Sequence, residues 1–251
     1  MTDAAPISVS PADLGWHRYS TSDQPDTARG AAVAYGADIP AEPDLRLLGN
    51  VEGKRVLDLG CGTGANAVAL AQQGARVIGV ATSAADLAVA RERAEAAEVR
   101  VELHQANLAD LPFLRSDSVD AALSVQSLTT VDDLARVFRQ VHRVLKPEAA
   151  FVCSFPHPAF TMFDPTAEDP ARMVRPYDQS APLRWELNGE PVTDHPRTIG
   201  QLFTTLHRAS FGVDHVLEPT SSGSAHRGPT STDLARFVPS TLIIRARKQG
   251  N

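Results

Sequence analysis

The run Lys54-Arg55-Val56-Leu57-Asp58-Leu59-Gly60-Cys61-Gly62-Thr63-Gly64 decides the fold. Its first six residues form a compact β-rich stretch, and three glycines follow at alternate positions. A glycine loop between a strand and a helix turns the chain tightly. It also lets a ligand approach main-chain N–H groups with no Cβ in the way. Gly60-x-Gly62-x-x-Ala65 satisfies the loose dinucleotide-binding pattern as well, so the glycines alone leave the ligand open.

Downstream, a helix through Val68 and Leu70 is expected to stop at Gly74, and Arg76 to Val80 reads as a second strand. Ser83 can cap a helix reaching about Ala97. Arg100 to Gln105 and Ser118 to Ser124 are the third and fourth strands. Asp132 opens an amphipathic helix whose Leu134, Val137, Phe138, Val141 and Leu145 recur at helical spacing, with Pro147 as its stop. Ala149 to Phe155 is a fifth strand. Strands alternating with helices over short connections specify a parallel sheet covered on both faces, an α/β fold.

The rhythm breaks at Pro156. Seven prolines from Pro156 to Pro191 and the aromatics Phe160, Phe163, Tyr177 and Trp185 fill the stretch that runs to about Pro196, and a segment this long is expected to be a lid. Thr198-x-x-Gln201 resembles a capping box opening a helix with Leu202, Phe203 and Leu206, ended by Gly212. Val213 to Leu217 and Thr241 to Ala246 are the last strands. Upstream, Leu45, Leu47 and Leu48 suggest a short helix ended at Gly49-Asn50. Residues 1–40 are rich in Pro, Gly, Ser and Asp but carry Trp16, Tyr19 and Tyr35, so they are expected to dock on a domain spanning 41–251.

Composition narrows the function. The 251 residues are 43% hydrophobic, enough for a sizeable core. Lys plus Arg is 24 against 30 for Asp plus Glu, a net charge of −6 that argues against a nucleic-acid partner. Two cysteines, Cys61 and Cys153, form neither a disulfide framework nor a four-cysteine zinc site, and no HExxH motif occurs. The first ten residues lack the pattern of a signal peptide, and no apolar run is long enough to span a bilayer. The expectation is a cytoplasmic protein without membrane or metal.

Four stretches together resemble the class I S-adenosylmethionine-dependent methyltransferases, in particular their small-molecule branch. They are VLDLGCGTG at 56–64, VIGVATS at 77–83, ANLADLPF at 106–113 and HRVLKPEAAFVCSFPHP at 142–158. The resemblance covers about Leu45 to Lys248. It implies a Rossmann-like, doubly wound, seven-stranded, mostly parallel sheet with an antiparallel last strand and a lid insertion after strand 5, at about 156–196. It implies S-adenosylmethionine as cofactor, S-adenosylhomocysteine as product, and an N-terminal segment lying over the cofactor site.

Carried over by residue, the resemblance turns the backbone of Gly60, Gly62 and Gly64, with Cys61 between them, toward the methionine and ribose portions. Asp58 would meet the amino group. Asn107 would face the adenine amine, Leu108 would offer its N–H to the ring, and Ser124 would line the methionine end. One departure stands out. The family usually has an acidic residue after VIGV for the ribose hydroxyls, and this chain has Ala81, leaving Thr82, Ser83 or water to compensate. Tyr35 and Trp16 are candidates to cover the cofactor or shape the pocket.

Ligands of open α/β sheets sit beyond the carboxyl ends of the strands. Two histidines fall there, His157 between Pro156 and Pro158, and His195 within Asp194-His195-Pro196-Arg197. Each is a candidate base or substrate anchor, and each can also be a turn residue with satisfied ring nitrogens. Arg197 and Tyr177 are candidates for the substrate side. The function expected is methyl transfer to oxygen or nitrogen of a small bacterial metabolite by a monomer or homodimer. The alternatives are a cofactor-binding protein that no longer methylates, or catalyses a reaction such as a cyclisation, and less readily a macromolecule methyltransferase.

Overall fold

A computed structural model describes residues 32–36, 39–163, 169, 171–187, 190–219 and 237–250. Trp16 and nearly all of the segment 1–40 lie outside them, as do parts of the expected lid. Five strands and three helices alternate first: β1 (Arg55–Leu59), α2 (Ala65–Gln72), β2 (Arg76–Ala81), α3 (Ala84–Ala96), β3 (Val101–Gln105), β4 (Val119–Val125), α4 (Leu134–Val144) and β5 (Leu145–Pro156). A four-residue α1 (Glu42–Leu45) precedes them. A two-stranded hairpin, β6 (Leu183–Leu187) and β7 (Glu190–Asp194), α5 (Ile199–Arg208), β8 (Phe211–Leu217) and β9 (Thr241–Lys248) follow.

The main sheet has the order β3-β2-β1-β4-β5-β9-β8. The first five strands are parallel, and β9 runs antiparallel to both neighbours, as expected of the last strand. The strand order reverses between β1 and β4, which opens a crevice at their carboxyl ends. Each face carries its own core. Leu57, Leu59, Phe151 and Ile244 meet α4 and α5 through Val137, Phe138 and Leu206. On the other face Val56, Leu123 and Val152 meet Tyr35, Leu48 and Leu70.

Local chemistry sets the boundaries, with some departures from the sequence reading. Ser83 caps α3 by accepting from the Asp86 N–H at 3.1 Å, and Thr198 with Gln201 forms the expected capping box on α5. Asp133, rather than Asp132, caps α4. That helix ends at Val144, because Leu145 is already extended. Pro147 therefore sits inside the outer end of β5, where the pairing slips from Val119↔Leu145 to Ala121↔Ala150. Gly212 lies within β8, and the turn before it is made by Ser210 at φ 61°. The first helix stops at Leu45, since Arg46 takes a left-handed cap and Leu47 and Leu48 turn into the core. The hairpin within the expected lid was not anticipated. Its Pro191 demotes a strand reading, yet it pairs with Glu186 across a two-stranded ribbon that has no central strand to disrupt.

Candidate functional site

The crevice is built from three strand ends. At β1, Asp58 is 2% exposed, and its Oδ2 has no hydrogen-bond partner among the described residues. Burial pushes its pKa up to about 7. An orphaned, desolvated carboxylate is a costly thing for a fold to keep. It is complementary to a cationic ligand group.

The loop after β1 is held by the protein itself. The N–H groups of Gly60 and Cys61 both donate to the Val80 carbonyl, at 2.8 and 2.9 Å, and the Gly64 N–H donates to Cys61. The N–H donors of Gly60 and Gly64 are therefore spent within the protein. What these glycines supply is room. Gly60 has φ +80°, and a Cβ there would overlap the Ser127 side chain. Gly64 has φ +83°, and a Cβ would meet the Ala90 Cβ at 2.8 Å, forcing α2 off α3. Gly62 is also left-handed, at φ 51°. Cys61 is half-buried, and burial raises its thiol pKa, so it stays protonated.

At β2, Ala81 is buried and its carbonyl accepts from the Ala106 N–H at 3.1 Å. Its methyl offers nothing to a ribose. Ser83 is spent on its cap, leaving Thr82 exposed at the mouth of a cleft of about 670 Å³. Gln105, Asn107, Leu108 and Asp133 also line this cleft, so the residues expected at the adenine end do gather. Asn107 Oδ1 accepts from the Ala109 N–H at 2.9 Å, and that bond shapes the turn carrying Leu108.

At β4, Ser124 is fully buried and donates to the Leu59 carbonyl at 2.7 Å, with Ser127 Oγ 2.9 Å away. It props the glycine loop from beneath rather than lining an open methionine pocket, because its hydroxyl is consumed there. Sequence reasoning passed over Ser127 and Gln126, though polar residues clustered at a β4 terminus are a usable signal.

Tyr35 corrects another expectation. It is completely buried, its hydroxyl donates to Glu42 Oε2 at 2.5 Å, and its carbonyl accepts from Ser154. With the phenol committed to a carboxylate, Tyr35 braces the core and covers no ligand.

The two histidines separate. His157 is 4% exposed; its Nδ1 accepts from the Ala159 N–H at 3.1 Å, which leaves Nε2–H to donate to Glu218 at 2.8 Å. Both ring nitrogens are engaged inside the fold. His195 keeps more freedom: its ring lies 3.4 Å from the exposed Asp132 carboxylate and borders a small cavity with Thr129, Phe155 and Asp194. Its backbone N–H donates to the Thr129 carbonyl, tying the hairpin's return to the β4 end. Arg197 donates to the carbonyls of Val131, Asp132 and His195, so its guanidinium fastens that return instead of reaching for an acidic group. Tyr177 is exposed, with its hydroxyl 3.5 Å from the Ile199 N–H. Trp16 lies outside the described residues. Among the described residues no three metal-ligating side chains converge, and no helix is long and apolar enough to cross a membrane.

Residues 57–153 match the model of a methyltransferase domain. The chain is 38% identical over 98 residues to a ubiquinone biosynthesis O-methyltransferase of Pseudomonas syringae pv. tomato, covering 39% of this chain and 42% of that protein. It is 40% identical over 114 residues to a demethylmenaquinone methyltransferase of Clavibacter sepedonicus, covering 45% and 46%. The matched region thus spans less than half the length of these curated relatives. Among solved structures, an S-adenosylmethionine dependent methyltransferase from Mesorhizobium loti is 30% identical with a TM-score of 0.62, covering 82% of this chain and 96% of that one. With the reversed strand order, the glycine loop and a relative matched over nearly its whole length, the chain belongs to the class I S-adenosylmethionine-dependent methyltransferases.

Proposed function

We propose that the chain binds S-adenosylmethionine across the carboxyl ends of β1, β2 and β4 and methylates an oxygen or nitrogen of a small-molecule acceptor. The observation that carries this reading is the Asp58 carboxylate, buried beside the glycine loop with an oxygen that no described residue satisfies. A ligand ammonium supplies the missing donor. The residues present fit the cofactor: the left-handed glycines give close approach, and Thr82, Asn107 and Leu108 border a cleft of suitable size.

When bound, the cofactor supplies an activated methyl group on a sulfonium, so the protein needs no Lewis acid. The chain's work is to align the acceptor, exclude water and take a proton where the nucleophile carries one. His195, with a ring not fully committed, is the better placed of the two histidines for that proton. His157 serves as a brace at the β5 end. The insertion between β5 and α5 is the proposed lid, fastened by Arg197 and the His195 N–H to the loop after β4. The quinone methyltransferases among the relatives support a small-molecule acceptor. A cytoplasmic setting is part of the same proposal.

Ala81 favours a second reading, retention of the cofactor without methyl transfer. Incubation with labelled S-adenosylmethionine and a panel of small phenols, catechols and amines separates the two. Acceptor-dependent release of S-adenosylhomocysteine is expected. Tight cofactor binding with no turnover on any acceptor would favour the second reading, and no cofactor binding would overturn both.

A further inference from the structure

Six described residues other than glycine have a left-handed backbone: Arg46, Glu98, Asp117, Gln126, Glu148 and Ser210. Five are exposed, at turns and helix ends where this conformation is common. Gln126, at φ 57°, is the exception, being only 5% exposed. Its side-chain Oε1 is also buried without a hydrogen-bond partner among the described residues. A buried glutamine retained for the fold would have its carbonyl oxygen bonded, as the large majority of buried polar atoms do. Here a strained backbone and an unsatisfied acceptor coincide in one residue, and both costs fall where ligands of this topology bind. Gln126 is the first residue past β4, one of the two strands between which the order reverses.

The backbone around it is firmly held. The Gln126 N–H donates to the Ser154 carbonyl at 3.0 Å, and its own carbonyl accepts from the Thr129 hydroxyl at 3.3 Å. Main chain fixed on both sides, with a free side-chain acceptor, is the pattern of a preorganised binding group rather than of a loose loop.

We propose that the Gln126 carboxamide receives and orients the methyl acceptor, its Oε1 accepting a hydrogen bond from the nucleophilic O–H or N–H at the methyl-transfer locus. This rests on the cofactor-binding reading above and narrows its substrate class. The nucleophilic atom must carry a hydrogen, as in an alcohol, phenol, or primary or secondary amine; a tertiary amine or thioether offers Oε1 nothing. A neutral amide cannot take the proton, so Gln126 is a positioning residue. The lone pair of the nucleophile forms the new bond to carbon as the carbon–sulfur bond breaks with its electron pair staying on sulfur. The hydrogen held at Oε1 during the attack then leaves to the proton acceptor proposed above, the His195 ring.

The test needs no known acceptor. Sinefungin carries an amine where the sulfonium methyl lies, and S-adenosylhomocysteine carries nothing there. Calorimetry with both ligands is run on the wild type and on Gln126→Met, which keeps the side-chain length without the acceptor; Gln126→Leu serves as a second variant should the first fold poorly. The wild type is expected to prefer sinefungin. The variant should bind S-adenosylhomocysteine within twofold of the wild type and lose roughly tenfold for sinefungin, the worth of one charge-assisted hydrogen bond. Its melting temperature should be equal or higher, since an orphaned acceptor has been removed. Equal losses for both ligands, an unchanged preference, or a lowered melting temperature with both affinities reduced would each overturn the proposal. If the wild type binds neither ligand, the cofactor reading itself has failed, an outcome distinct from these.

Discussion

Two buried carboxylates, sixteen residues apart in sequence, have opposite surroundings. Glu42 is 7% exposed and accepts from the Tyr35 hydroxyl and from the N–H groups of Leu47, Leu48 and Gly49. Asp58 is 2% exposed and has an oxygen that no described group meets. Burial alone therefore does not distinguish structure from function. The donor count does: a carboxylate with four donors closes a turn, whereas one with a missing donor is where, on the proposed reading, a ligand completes the protein.

The largest way to break this comparison is Glu42→Leu. It strands four donors, each costing about 1–3 kcal/mol when left unsatisfied, so a loss of about 4 kcal/mol and roughly 10 °C in melting temperature is expected. A change below about 1 kcal/mol in chemical denaturation would show that the turn does not depend on Glu42.

Asp58→Asn should act in the opposite sense on stability. At pH 8 the variant should melt at or above the wild type, because a desolvated charge has been removed, and the two should nearly coincide only at about pH 4, near the ordinary aspartate value. The sign follows from the raised pKa. Between the ordinary aspartate value of 3.8 and about 7 the folded chain keeps a proton that the unfolded chain has released. That stabilisation is complete below 3.8 and lost as pH rises through about 7. Melting curves of wild type and variant from pH 4 to pH 8 measure it, and parallel curves would contradict it.

A smaller effect is expected from Ala81→Asp. A carboxylate at the end of β2 can accept from ribose hydroxyls, and one such bond is worth roughly tenfold in affinity. Equal or weaker binding of S-adenosylhomocysteine would mean that another group, Thr82 among the candidates, already holds the ribose.

Much of this was legible in the sequence, for physical reasons. The glycine loop, the Ser83 cap and the Thr198–Gln201 capping box are local devices whose partners lie within a few residues, so spacing reveals them. Asp58 stood out because it lies two residues before the first glycine of that loop, and its burial and missing partner appear only in the fold. What stayed hidden depends on contacts between distant segments. The pairing of Tyr35 with Glu42 places both in the core, and the Glu218 that engages His157 comes 61 residues later. The consumption of the Arg197 guanidinium by carbonyls after β4 is of the same kind. Gln126 was hidden for a different reason: a left-handed glutamine has no signature in composition or periodicity, unlike a glycine or asparagine.

The central claim is that Asp58 remains unsatisfied because a cationic ligand group completes it. Calorimetric titration of S-adenosylhomocysteine into the wild type and Asp58→Asn, at pH 8 and pH 6, tests this most directly. The expected result is a single site in the wild type, weaker at pH 6 as the carboxylate protonates. The variant should bind at least roughly tenfold more weakly at pH 8, with little dependence on pH. Equal affinity in a folded variant, or no binding to the wild type, would contradict the account.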